Sequence, residues 1–128
     1  MLTDYEALIS LILAETSITS LLGVFTGTTQ PLVLVGTIPE AQDGLPAISL
    51  RNAIQTGDFG LSDNFIECHC YASTEVESRK VAQSVYDYFR NSIGGVTGFG
   101  ARFEASILST QPDEKSTNTI VEIRVSYR

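Results

Sequence analysis

Tyr5, Leu8, Ile9, Ile12 and Leu13 recur at helical spacing and predict an amphipathic helix over residues 4–15. The string "TDYE" at its start has the spacing of a capping box. Thr3 can accept from the N–H of Glu6, while the Glu6 side chain reaches back to the N–H of Thr3. "TSITSLLG" predicts one further short turn, started by Ser17 and stopped by Gly23. The helical period then disappears. Residues 23–46 are rich in Gly, Thr and Pro around one apolar run, "PLVLV" at 31–35, and read as a long connection holding one short strand.

Alternation takes over next. Proline can open a strand but has no N–H to give inside one. Pro46 therefore starts a strand at Ala47–Arg51, with Ile48 and Leu50 on one face. "AIQTGDFGLSDN" (53–64) carries two glycines, two aspartates and Phe59, and reads as a long hairpin loop. Residues 65–72 alternate as a strand. "STEVESRKVAQSVYDYFRNSIGG" returns to helical spacing, with Thr74 and Glu77 as its capping box. Val81, Ala82, Val85, Tyr86 and Phe89 form its buried stripe, and Gly94-Gly95 its stop. Residues 102–110 and 119–128 alternate again, joined by the polar "QPDEKSTN". The order α, short α, β, β, α, β, β predicts a single α+β domain over 1–128. It is a two-layer sandwich in which two main helices cover one face of an antiparallel sheet of about four strands.

Charge narrows the partners. Fifteen acidic residues against eight basic ones give a formal net charge of −7 and a pI near 4.5. A sequence-independent grip on nucleic acid needs clustered Lys and Arg, and no such cluster exists. The longest apolar stretch, Leu8–Ala14, is broken by Ser10 and is too short to span a bilayer. The acidic "MLTDYE" lacks the basic start of a secretory signal, so a cytosolic site of synthesis and assembly is expected.

The stretch that suggests chemistry is "ECHCYA" (67–72), which holds the one histidine, His69, between the two cysteines, Cys68 and Cys70. Successive strand residues face opposite ways. Ile66, Cys68, Cys70 and Ala72 therefore share one face, small and apolar, suited to lie beneath the second helix. Phe65, Glu67, His69 and Tyr71 share the other. The pleat keeps His69 from joining the thiols around a metal, and a tetrahedral zinc site lacks its remaining ligands. A disulfide between positions two apart on an extended strand is also poor geometry. The glycines of "GGVTGFG" (94–100) follow a helix instead of opening one, unlike a phosphate-binding loop. The cysteines thus read as core and His69 as part of an outward sheet face. That face also takes Arg102, Glu104, Leu108, Ile120, Glu122, Arg124 and Arg128. It reads either as an interface or as an ordinary amphipathic surface.

Several strings resemble one family. The N-terminal helix with "SITSLLG", then "GTIPEAQDGLPAISL", the strand "FIECHCYAST" running into "EVESRKVAQSVYDYF", and the closing "IVEIRVSYR" are similar to the tail-terminator (tail-completion, or neck) proteins of long-tailed bacteriophages. The features that carry the resemblance are Pro39, Leu45-Pro46 and Tyr71-Ala72-Ser73-Thr74. The resemblance covers most of the chain, and departs from the family in the length and composition of 24–37 and 53–64. It implies a structural virion protein with no enzymatic activity and no cofactor. Such proteins form a homo-oligomeric ring, usually a hexamer, that ends tail-tube polymerisation and offers a surface for head–tail joining while DNA passes through the lumen. The implied partners are further copies of the chain, the tail tube protein and the head–tail connector.

The polar loops are then the candidates for inter-subunit or tube and connector contacts, or for lumen-facing positions: Asp58, Phe59, Leu61 and Asp63 in "TGDFGLSDN", and Asp113, Glu114 and Lys115 in "QPDEKSTN". Catalytic, cofactor and metal residues are expected to be absent. Two alternatives stand beside this reading. One is a head-completion or connector-side neck protein. The other, of a different class, is a small-molecule-binding or catalytic α+β domain built on His69, Glu67 and Tyr71.

Overall fold

A computed structural model of the chain describes residues 4–25, 27–36, 45–52, 63–91, 101–112 and 116–127. The elements in chain order are α1 (Asp4–Ala14), α2 (Thr16–Thr19), β1 (Val33–Val35), β2 (Ala47–Asn52), β3 (Asp63–Ala72), α3 (Glu75–Asn91), β4 (Ala101–Pro112) and β5 (Thr117–Tyr127). The class is α+β, with three helices and a five-stranded sheet ordered β1-β2-β3-β5-β4.

The sheet has one strand more than expected and is mixed. β2–β3, β3–β5 and β4–β5 pair antiparallel, whereas β1 runs parallel to β2 with Val33 opposite Ile48. Val33–Val35 of the apolar run "PLVLV" therefore forms an edge strand of the sheet.

Helix α3 starts as its capping residues dictate. The Thr74 hydroxyl accepts from the N–H of Glu77 at 3.2 Å, directly after β3 ends at Ala72. Helix α2 is capped differently from the expectation. Glu15, in an extended conformation, accepts from the N–H of Ser17 at 3.3 Å and from its hydroxyl at 3.0 Å. The helix therefore begins at Thr16, and Ser17 lies inside its first turn. The Thr3 cap and the Gly94-Gly95 stop lie outside the described residues.

One hydrophobic cluster joins all three helices to one face of the sheet. Leu8, Leu11 and Ile12 of α1, Ile18 of α2 and Val81, Ala82, Val85 and Phe89 of α3 meet Ile48 and Leu50 of β2, Ile66, Cys68 and Cys70 of β3, and Val121 and Ile123 of β5. Cys68 and Cys70 sit in this core, as the alternation predicted. A buried hydroxyl chain crosses it. Ser78 of α3 donates to the Cys70 carbonyl at 2.8 Å and lies 2.7 Å from the Thr119 hydroxyl, which is 3.2 Å from that of Thr110.

Strands β4 and β5 are longer than their alternation suggested, because the hairpin ladder continues to a Pro112–Thr117 pair. Gln111, Pro112, Thr117 and Asn118 are strand residues, and the connection shrinks to 113–116. A bulge falls between Ile107 and Ser109. A bulge adds one residue and reverses the alternation beyond it. Leu108, expected on the outer face, is that extra residue, and Ser109 stands opposite Ile120 instead.

Candidate functional site

The polar side chains gather on the sheet face opposite the core cluster. Register sets them in rows across three strands: Ser49, His69 and Ile120; Arg51, Glu67 and Glu122; Ala47, Tyr71 and Asn118. This face is not the open surface that the sequence suggested. His69 is 6% exposed and Tyr71 3%. Strand β3 is central, with β2 on one side and β5 on the other, so its side chains are flanked along both edges.

His69 is tied at both ring nitrogens. Nε2 lies 2.9 Å from Glu67 Oε1, and Nδ1 lies 2.8 Å from Asn118 Nδ2. An ionised carboxylate only accepts and an amide nitrogen only donates. The neutral ring that satisfies both contacts carries its proton on Nε2. Burial lowers the His69 pKa from 6.5; the Glu67 hydrogen bond pulls it back up, and the Arg51 charge pushes it further down. Its ring stacks on that of Tyr71 with centroids 6.2 Å apart.

Arg51 completes the cluster from β2. It donates Nη2–H to the Tyr71 hydroxyl, and its guanidinium lies 5.6 Å from the Tyr71 ring centroid. Further along β3, the Arg124 guanidinium sits 6.0 Å from the Phe65 ring. Asn118 Oδ1 is buried with no hydrogen-bond partner. A buried acceptor in that condition costs about 1–3 kcal/mol.

The thiols belong to the other face and to different chemistry. Burial, reinforced by the neighbouring Cys70, pushes the Cys68 thiol well above its ordinary pKa, and burial alone pushes Cys70 up to about 12. Both are free cysteines. At neutral pH they are protonated, and a protonated thiol neither attacks nor ligates. Among the described residues no group of three or more His, Cys, Asp or Glu is placed to hold a metal ion. No described helix is long and apolar enough to cross a membrane.

Of the candidate contact residues, Asp58, Phe59, Leu61, Asp113, Glu114 and Lys115 lie outside the described residues. Asp63 is placed, and it is not in a loop: it opens β3 opposite Ser126. Glu67, His69 and Tyr71 come together as the alternation of β3 predicts, and Asn118 and Arg51 join them from the neighbouring strands. Asn118 was hidden in the polar string "STN", which reads as loop. Arg51 closed its predicted strand, and its alternation with Ser49 was the signal available. Compared with models of known protein families the chain matches none, and no curated protein is a significant match to it.

Proposed function

We propose that this protein is a structural component of a phage virion: a tail terminator that assembles as a homo-oligomeric ring on the end of the tail tube. The ring stops tube polymerisation and presents the surface to which the head–tail connector docks. Its site is the virion neck, reached by assembly in the host cytoplasm. A hexamer is the ring size that the resemblance implies.

The observation that supports ring assembly is the open edge of the sheet. β4 is a 12-residue edge strand paired on one side only among the described residues, and Ile107 on it is 42% exposed. Such an edge offers a row of N–H and C=O groups to another chain. In a ring, one patch on each copy meets a different patch on the next, and closure hides both. Placement at the tail end rests on the resemblance of "GTIPEAQDGLPAISL" and the Tyr71-Ala72-Ser73-Thr74 junction, which here joins β3 to α3. A net charge of −7 repels DNA phosphates, which suits a lumen through which a genome slides.

The His69-centred alternative is disfavoured by the same geometry that drew attention to it. Both ring nitrogens are directed at neighbouring side chains and the ring is buried, so neither points at an open site where a substrate could sit.

The test is assembly. Purified protein is mixed with tail tubes polymerised without a terminator, and the products are imaged by negative-stain electron microscopy. The expected result is a ring at one end of each tube and no further elongation. Bare tubes that keep growing would refute the proposal, and binding to DNA-filled heads instead would favour the connector-side neck protein.

A further inference from the structure

His69 and Asn118 meet on a diagonal of the β3–β5 ladder, where His69 is opposite Ile120 and Asn118 is opposite Tyr71. Glu67 fixes the proton on Nε2, so Nδ1 is bare and accepts from the Asn118 amide at 2.8 Å. The amide that makes this bond has its own oxygen buried and unpartnered. Any proton added to His69 must go to Nδ1, where two N–H donors would then face each other.

We propose that the Asn118 side chain is a protonation-coupled rotor. When His69 takes a proton from solvent at Nδ1, the amide turns over by about 180° around its Cβ–Cγ bond. Oδ1 then accepts from Nδ1–H, and Nε2–H stays on Glu67. The two ends of the amide are nearly the same in shape, so no backbone need move. The orphaned acceptor gains a donor in the same step. The cross-strand contact is kept in both protonation states, with its direction reversed.

The other groups facing His69 bear on where the change occurs but not on its form. Glu67 and Tyr71 lie on β3 itself, Arg51 on β2, and Glu122 and Arg124 on β5; Leu34 of β1 is apolar. The β4 register positions beside this row, Ser109 and Gln111, are uncharged. Glu67 favours the added proton and Arg51 opposes it.

The experiment is a pH titration of the full chain, labelled with ¹⁵N, followed by NMR. At high pH the His69 ring should carry its proton on Nε2 with Nδ1 bare. On acidification the Asn118 side-chain amide signals should move with the same midpoint as the His69 ring. Asn118→Asp supplies a fixed anionic acceptor to Nδ1–H and should raise that midpoint by about one unit or more. The proposal is overturned by a neutral ring protonated on Nδ1, by Asn118 signals that stay still through the His69 midpoint, by an unchanged midpoint in Asn118→Asp, or by unfolding before His69 takes its proton.

Discussion

Ser78→Ala tests how the first turn of α3 is fastened to the sheet. The Ser78 hydroxyl is fully buried; it donates to the Cys70 carbonyl at 2.8 Å, which leaves its oxygen to accept from Thr119 at 2.7 Å. Alanine removes both bonds. A net hydrogen bond is worth about 1 kcal/mol, and a buried group left without a partner adds to the loss. Thr119 can turn part of its bonding to Thr110 at 3.2 Å, which limits that addition. The expected cost is about 2–3 kcal/mol. At this chain length each kcal/mol moves the melting temperature by roughly 3–5 °C, so a fall of about 6–15 °C is expected. Urea denaturation followed by circular dichroism gives the free energy directly. Thr119→Val removes the partner while keeping the shape, and a double-mutant cycle should give a coupling of about 1 kcal/mol. A Ser78→Ala cost below about 0.5 kcal/mol, or strict additivity with Thr119→Val, would show that the hydroxyl chain does not fasten the helix.

Three further outcomes follow from burial. Phe89→Ala removes the largest fully buried side chain among the described residues and should cost about 3–5 kcal/mol in the same urea assay, whereas Ile107→Ala on the exposed edge should stay within about 0.5 kcal/mol. The His69 pKa is lower in the fold than its ordinary 6.5, so below pH 6.5 the unfolded chain binds the extra proton first. The His69 contribution to stability is therefore complete above pH 6.5 and is lost as pH falls from there toward the folded pKa; His69→Gln should flatten that limb of a stability–pH curve. Cys68 and Cys70, buried and held protonated, should resist a disulfide-exchange reagent at pH 8 until denaturant is added, and rapid labelling of the native chain would contradict their placement.

How much the sequence disclosed depended on whether the determining contacts were local. α3 was legible because its buried stripe lies within one 17-residue helix and its cap, Thr74, directly precedes it. β1 was less so. Its three residues pair in parallel with a strand that begins at Ala47, and no turn motif announces a partner at that distance. The bulge at Leu108 was invisible for a related reason, since alternation within one strand does not record which residue its neighbour skips. In "ECHCYA" the alternation separated the thiols from the histidine correctly, because facing is a property of the strand itself. It misjudged the exposure of His69, because burial depends on β2 and β5, which lie far away in sequence.

The two faces of β3 also divide the task of setting the fold. A one-residue slip of β5 against β3 would carry Val121 and Ile123 out of the core, so hydrophobic burial forbids it. A two-residue slip is different, because it preserves the alternation and returns apolar residues to the apolar side. What it breaks are the bonds made by particular residues at particular register positions. Asn118 would leave His69 Nδ1, and Thr119 would leave Ser78. Each loss strands buried polar atoms, at about 1–3 kcal/mol apiece. The apolar core therefore selects which face of the strand is buried. The histidine cluster on one side and the hydroxyl chain on the other select which of the allowed registers is occupied.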